Sequence, residues 1–151
     1  MKKFRFSLDT VLSYKQQVLE SLQIEHAAIL AEVRAQEELL EQLWQEYRDY
    51  SAEYRRRTED GLPITEALMY QTGLRSIEQE IQRETARLEE IRAREEKKRE
   101  EVVEARKDTS SIEKLREKKL DAYQKEAAKS EEQFIEEFVS TMRVVNAASG
   151  A

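Results

Sequence analysis

The side chains of this sequence that could carry chemistry are few and widely spaced. His26 is the only histidine and there is no cysteine, so multi-histidine metal sites, thiolate metal sites and thiolate catalysis are all excluded. A di-iron site in a helical bundle would need Glu-x-x-His pairs, and Gln occupies position 23. Glycine occurs only at positions 61, 73 and 150, which rules out a Gly-rich phosphate loop. We therefore predict that the protein has no metal and no cofactor.

Carboxylates are the one abundant reactive group, with 32 Asp and Glu residues in the chain. Many glutamates recur at a spacing of four, which places them along one face of a helix. Acid–base catalysis needs carboxylates whose pKa is shifted by burial or by a neighbouring charge, and a thin helical protein has little with which to bury them. We interpret these residues as a solvated face. Since no nucleophile–base pair is present either, we predict that the protein is not an enzyme.

The composition favours long helices in a single domain, 1–151. Charged residues make up 38% of the chain, with three glycines and one proline, a composition typical of coiled coils. The apolar runs are too short to cross a bilayer, and none follows the basic start as a signal peptide would. The net charge is −6 without a basic block. We predict a cytoplasmic protein with no membrane insertion and no nucleic-acid partner.

The first half of the chain predicts one helix from about residue 7 to residue 60. Ser7 is a suitable N-cap, and Asp9 suits the positive first turn. Apolar positions step alternately by four and three, which is the repeat of a two-helix coiled coil. We interpret His26 as a tolerated polar residue on this seam. The seam positions are Leu8, Leu12, Lys15, Leu19, Leu22, His26, Ile29, Val33, Gln36, Leu40, Leu43, Tyr47, Tyr50 and Tyr54.

A Gly-Leu-Pro sequence at 61–63 predicts a short loop, 61–64, because Gly ends helices and Pro cannot continue them. Thr65 would cap a second helix running from about 65 to 143, followed by a flexible tail, 144–151. So short a link forces the two helices to be antiparallel neighbours. The fold class is thus all-α: a long antiparallel two-helix coiled-coil hairpin. The second seam reads Ala67, Tyr70, Leu74, Ile77, Ile81, Glu84, Leu88 and Ile91, then Val102, Ala105, Ile112 and Leu115, with a phase shift to Leu120.

The two predicted helices differ in length, so helix 2 overhangs helix 1. Folding about residues 62–63 pairs position i with about 125 − i, which leaves residues beyond about 120 without a partner in the chain. An apolar stripe lies there, and exposed apolar surface of this kind marks a binding site. We predict a partner-binding end that comprises Leu8, Val11, Leu12, Tyr123, Phe134, Phe138 and Met142.

Three local features leave alternatives open. The block 92–101 is almost entirely charged and would place Lys98 and Arg99 opposite His26; we expect it to be the loosest stretch. The sequence 108–111 could break helix 2, although we favour an unbroken helix because neither Gly nor Pro occurs between 74 and 149. Trp44 lies off the seam near the loop end, where it either packs with the neighbouring tyrosines or serves as an exposed anchor.

Both ends of the sequence carry a family resemblance. The opening Phe4-x-Phe6-x-Leu8-x-x-Val11-Leu12, the central Gly-Pro loop, and the run Glu113-Lys114-Leu115-Arg116-Glu117-Lys118-Lys119 resemble the flagellar export protein FliJ family. Tyr123, Glu126 and the stretch 130–138 continue the same pattern towards the C-terminus, with Glu136 where the family often has Asp. The resemblance covers the whole chain.

The resemblance implies a non-enzymatic part of the flagellar type III protein export apparatus, and thereby a role in flagellum biogenesis, motility and chemotaxis. Family members are similar to the coiled-coil stalk of rotary ATPase γ subunits. They are thought to bind the export ATPase hexamer as a central stalk and to link it to the membrane export gate; some also bind export chaperones. The implied location is the cytoplasmic face of the inner membrane at the flagellar base. The implied gate contact comprises Tyr70, Leu74 and Ile77, with Gly73 where the family can have an aromatic residue.

Two other functions remain open from the sequence. The chain could be an export chaperone or escort for flagellar substrates, or a generic dimeric coiled-coil scaffold. A stalk would bind as one copy per six-fold ring, whereas a scaffold would form a symmetric homodimer.

Overall fold

The computed structural model describes residues 2–150 and contains two helices and no strand within that range. Helix α1 spans Asp9–Glu59 and helix α2 spans Ile64–Ser149. The helices pack against each other as an all-α helical hairpin. This confirms the predicted fold class.

The chain contains two compact units. The terminal unit combines Met1–Leu19 with Glu104–Ala151, and the loop unit consists of Glu20–Val103. Each unit therefore contains part of both helices. The single domain stays a prediction.

Helix α1 begins slightly later than the sequence predicts. Its first backbone hydrogen bond of the helical type runs from Leu12 N to Leu8 O, 2.8 Å, so the capping position is Leu8 and not Ser7. A tighter turn precedes it, in which Asp9 N donates to Phe6 O at 3.1 Å. Asp9 lies in the first turn, as predicted, where its negative charge suits the helix dipole.

The loop between the helices comprises residues 60–63 and contains the one positive φ angle among the described residues, +90° at Gly61. This conformation costs glycine little and lets Gly61 N donate to Thr58 O, 3.2 Å, at the end of α1. Pro63 O accepts the first hydrogen bond of α2, from Ala67 N at 3.0 Å. The predicted cap at Thr65 is therefore wrong, since Thr65 already lies inside the first turn.

Helix α2 is unbroken through 108–111. Thr109 Oγ1 donates to Ala105 O at 2.8 Å, and Ser111 Oγ donates to Lys107 O at 2.9 Å. These hydroxyls are satisfied by carbonyls of the preceding turn, so they have no need to cap a new helix.

The predicted flexible tail from residue 144 is also corrected, because α2 continues to Ser149. Residues 144–148 include no proline or glycine, and Ser149 Oγ donates to Val145 O at 2.7 Å. The helix ends where Gly150 follows, with Gly150 N donating to Asn146 O at 3.0 Å. Ala151 lies outside the described residues.

The core of the loop unit is the predicted seam. Leu43, Ile77 and Ile81 form its centre, each less than 10% exposed. Gln36, which is also buried, donates through Nε2 to Glu84 O at 3.0 Å and to the Glu84 carboxylate. A polar residue is tolerated at this position of the apolar seam because its buried amide nitrogen is hydrogen-bonded. Further seam residues that are buried or packed against this centre are Leu40, Tyr47, Tyr50, Leu88, Ile91 and Val102.

In the terminal unit the seam differs from the prediction at two positions. Thr109 is buried, at 3% exposure, although it was not among the predicted seam residues. Leu115 was predicted as a seam residue, yet it is 39% exposed, whereas Arg116 is half-buried. The reason is that the four-three stepping continues from Ala105 through Thr109 and Ile112 to position 116. The phase shift before Leu120 was predicted correctly, but the last seam residue before it is Arg116 and not Leu115.

The charged block 92–101 is joined to α1 by ion pairs. Nε2 of His26 lies 2.9 Å from Oε1 of Glu95, which corrects the expected opposition of His26 to Lys98 and Arg99. Lys98 instead bonds Glu25 at 2.9 Å and Glu101 at 2.8 Å. Two further pairs join the helices here, Arg92–Glu37 and Arg94–Glu32. Partly exposed pairs of this kind contribute little individually, and the looseness of the block stays a prediction.

Candidate interaction surfaces

The C-terminal part of α2 presents an uncovered apolar stripe. Every residue from 128 to 150 is exposed, because α1 has no residues opposite this part of α2. Phe134 is 68% exposed, Phe138 58% and Met142 45%. The stripe also includes two branched side chains, Ile135 and Val139. We call residues 128–149 the overhang; its large apolar side chains are exposed, as the sequence predicts.

Tyr123 does not belong to that uncovered stripe, which is a correction. The ring of Phe4 lies 5.5 Å from the ring of Tyr123, and Tyr123 Oη donates to Lys2 O at 2.6 Å. Arg116 lies 5.6 Å above the Phe4 ring and bonds Asp9 at 3.2 Å. The segment 2–8, which we call the N-terminal strap, thus provides an intramolecular partner for Tyr123, whereas residues beyond about 120 were predicted to have none.

The three predicted binding residues of α1 differ in their exposure. Leu12 is buried, at 7%, and Leu8 is half-buried. Val11 is exposed, at 41%. Of this group, therefore, only Val11 is exposed, while Leu8 and Leu12 pack within the terminal unit.

The residues implied for a gate contact are mainly internal. Tyr70 and Ile77 are each 9% exposed, and Leu74 is half-buried. The start of α2 instead exposes apolar side chains that the sequence analysis did not single out: Ile64 at 79%, Leu68 at 56% and Met69 at 70%. The exposure of Leu68 and Met69 could have been predicted, because they lie between the seam positions Ala67 and Tyr70. Ile64 precedes the predicted start of the helix.

A cluster of tyrosines lies at the loop end of the hairpin. The Tyr70 ring lies 5.1 Å from that of Tyr50 and 5.3 Å from that of Tyr54. Arg57 lies 5.9 Å from the Tyr70 ring centroid. The hydrogen bond from Arg57 to Tyr70, together with the charges of Tyr70 and Glu66, raises the pKa of Arg57 above its ordinary value. The cluster therefore joins both helices next to the loop.

Trp44 lies outside this cluster, on the side of a groove in the loop unit. Its ring meets that of Tyr47 edge-on, with centroids 5.9 Å apart and an interplanar angle of 82°. Trp44 is 44% exposed, which agrees with the alternative that it is an accessible anchor. Tyr47 Oη donates to Glu78 Oε1 at 3.0 Å, and this hydrogen bond raises the pKa of Tyr47.

The described residues hold no group of three or more His, Asp or Glu side chains placed to bind a metal ion. Across 2–150, neither helix has a stretch apolar enough to span a membrane. The apolar and aromatic surfaces described above are of the kind that proteins use to recognise other proteins.

The chain matches the family described as the flagellar FliJ protein over residues 4–148. It belongs to that family. No curated protein and no solved structure gives a significant match. The match confirms the resemblance drawn from the two ends and the central loop.

Membership in the FliJ family makes the chain a component of the flagellar export apparatus, in a family whose role there is non-catalytic. The matched range includes the strap from Phe4, the loop, and almost all of the overhang. For this FliJ family member, the strap from Phe4, the start of α2 and almost all of the overhang thus lie within the matched range.

Proposed function

We propose that the chain is a non-enzymatic stalk that binds the export ATPase ring through the overhang and contacts the membrane export gate through the loop unit. The observation that carries the proposal is the exposed apolar stripe of the overhang, with Phe134, Phe138 and Met142 at helical spacing. A helix that ends in uncovered apolar side chains is suited to insertion into a protein ring.

The energetics of the overhang support docking there. Full burial of one large apolar side chain is worth roughly 1.5–3 kcal/mol, and the phenylalanines of the overhang are mostly exposed to solvent. Val11 lies on the same unit and adds an exposed apolar side chain from α1. The docking role proposed for Leu8, Leu12 and Tyr123 is indirect: they hold the strap and α1 beside the base of the overhang.

The gate contact is proposed at the start of α2. Leu74 is half-buried, so part of its side chain is accessible, and Leu68 and Met69 are exposed on the same turns of α2. Tyr70 and Ile77 position this surface through their packing in the hairpin. We place the working protein in the cytoplasm, at the membrane face of the flagellar base; binding of export chaperones stays a prediction.

The experiment measures binding to the purified export ATPase and stimulation of its ATP hydrolysis. The test variant replaces Phe134 and Phe138 by Ala. A matched control replaces Ile24 and Leu39 by Ala. Both are exposed apolar residues, at 66% and 37%, but they lie on α1 in the loop unit. Each lost anchor is expected to cost about 2 kcal/mol or more, because truncated hot-spot residues reach that range.

We expect the test variant to retain its helicity and thermal stability while its affinity for the ATPase falls by more than about thirtyfold, which is the loss of one such anchor alone, and stimulation falls with it. The control variant should bind as the parent does. Unchanged binding by the test variant would contradict the proposal. So would a large loss of stability of the isolated chain, because the stripe would then be an internal core.

A further inference from the structure

The groove beside Trp44 is an apolar surface that the packing of the two helices leaves open. It has a volume of about 550 Å³ and lies between α1 at Trp44 and Tyr47 and α2 from Glu78 to Glu89. Ile81, which is 6% exposed, and Ala86 contribute apolar lining. An aromatic wall next to an apolar floor is the composition typical of an interface hot spot.

The charges that line this groove have one sign. Glu78 and Glu89 contribute carboxylates, and none of the described residues that line the groove is Lys, Arg or His. Within 2–150, neither carboxylate takes part in an ion pair. The hydrogen bond from Tyr47 Oη fixes one oxygen of Glu78 at this surface. The groove therefore attracts a cationic partner and disfavours an acidic one.

The spacing of the carboxylates defines the partner further. Glu78 and Glu89 are eleven residues apart, which corresponds to about 16 Å along a helix. A groove between two packed helices accepts a third helix, whose ridges lie between theirs. Such a helix would meet both carboxylates if it had basic residues about eleven positions apart, with apolar residues between them.

We infer that this groove binds an amphipathic helix of a partner protein, with Lys or Arg at positions about eleven apart and an apolar face between them that packs on Ile81 and Ala86. Arg suits the position that meets Glu78, since Tyr47 joins Glu78 to the ring of Trp44. A guanidinium group there can also stack on the indole face. The inference does not depend on the docking of the overhang, which uses other residues in the other unit.

Trp44 provides the measurement, since it is the only tryptophan of the chain. The probe is a blocked, Ala-rich peptide of about 18 residues, long enough for appreciable helicity, without Trp or Tyr. It carries two Arg residues eleven apart and Leu residues between them on the same face. One matched peptide has Glu in place of both Arg residues, and another has them seven apart. We expect saturable changes of Trp44 fluorescence with the first peptide and binding at least about tenfold weaker with the others.

The variant that tests the site combines Glu78→Lys with Glu89→Lys. Its control combines Glu80→Lys with Glu90→Lys, which gives the same change of net charge at exposed positions outside the groove. The first variant should lose at least about tenfold in affinity for the Arg peptide, and the control should bind nearly as the parent does. Circular dichroism should show equal helicity for both variants.

Three results would overturn the inference. The first is the absence of binding by the Arg peptide at millimolar concentration. The second is equal binding of all three peptides, or equal effects of the two variants, which would indicate non-specific attraction to an acidic protein. The third is self-association of the parent chain in sedimentation equilibrium that the double reversal at Glu78 and Glu89 abolishes, because the occupant would then be a second copy.

Discussion

The ring of Tyr50 lies where a side chain at position 73 would begin. A Cβ atom placed on Gly73 would lie 2.6 Å from Tyr50 Oη and 2.7 Å from Tyr50 Cε1, far inside van der Waals contact. Tyr50 also packs against Tyr70 on α2, with ring centroids 5.1 Å apart. The glycine within α2 is therefore explained by the approach of α1, although it is an unfavourable residue for a helix interior.

Gly73→Ala tests this relationship. Alanine should gain about 1 kcal/mol of helix propensity, but displacement of the tyrosine ring should cost about 1–3 kcal/mol, so we expect net destabilisation. In a Tyr50→Ala background the clash is absent, and the same substitution should become stabilising. Chemical denaturation of the four proteins gives the coupling. Thr72→Ala, at an exposed neighbouring position, is the control. Additive effects would show that Tyr50 does not restrict position 73.

Tyr123→Phe should loosen the N-terminal strap. The substitution removes the hydrogen bond to Lys2 O while the ring contact with Phe4 remains, and a single neutral hydrogen bond is worth about 1 kcal/mol. Limited trypsin digestion should then cleave after Lys2, Lys3 and Arg5 several-fold faster, because opening governs cleavage at such sites. Tyr14→Phe, at an exposed tyrosine of α1, should leave the rate unchanged. An equal rate for Tyr123→Phe would mean that the strap is held by other contacts.

The Gln36–Glu84 pair should cost stability relative to an apolar seam. Gln36→Leu alone leaves the half-buried Glu84 carboxylate against an apolar side chain, so we expect a loss of about 1–3 kcal/mol. The double variant Gln36→Leu with Glu84→Leu restores a continuous apolar seam, and its Tm should equal or exceed that of the parent. Thermal unfolding followed by circular dichroism measures both effects. A double variant less stable than the parent would show that the pair stabilises the hairpin.

The Lys98–Glu101 pair should make stability depend on pH in acid. The hydrogen bond from Lys98 lowers the pKa of Glu101 below its ordinary value, and the bonds to Glu101 and Glu25 raise the pKa of Lys98. The contribution of Glu101 is complete above its unfolded pKa and is lost as pH falls through its lower folded pKa; that of Lys98 is lost only as alkaline pH passes its raised pKa.

The Tm difference between the parent and Glu101→Gln should therefore be constant near neutral pH and shrink below about pH 4. Glu100→Gln provides the comparison, since Glu100 is exposed and takes part in none of the ion pairs among 2–150. If the difference for Glu101→Gln did not change with pH, the stabilisation would not come from the ionised carboxylate.

The hairpin could be predicted from the sequence because its determinants are local and repetitive. The four-three seam through Leu43, Ile77 and Ile81 and the Gly61–Pro63 turn fix the antiparallel pairing. The observed partners follow the rule of 125 − i only approximately, since His26 meets Glu95 and not Arg99. Within the loop unit Tyr47 meets Glu78, and within the terminal unit Asp9 meets Arg116. A shared period of 3.5 residues leaves few alternative registers once the turn is set.

The segments without a heptad repeat could not be predicted from the sequence. The strap has no helical period, so its return to Tyr123 could not be read from spacing. The cap at Leu8 and the start of α2 at Ile64 depend on backbone turns at Phe6 and Pro63, which favourable capping residues nearby obscured. Similarly, the groove at Trp44 depends on which faces of both helices remain open, and this follows from packing.

The uncovered overhang also bears on the fate of copies that have not been assembled. A helix with Phe134, Phe138 and Met142 exposed presents to chaperones and proteases the kind of surface that an incompletely folded chain presents. Occupation of this end by a partner would hide it. If the overhang docks as proposed, we expect the cellular lifetime of the chain to depend on the supply of vacant docking places, so that surplus subunits are removed while incorporated ones persist.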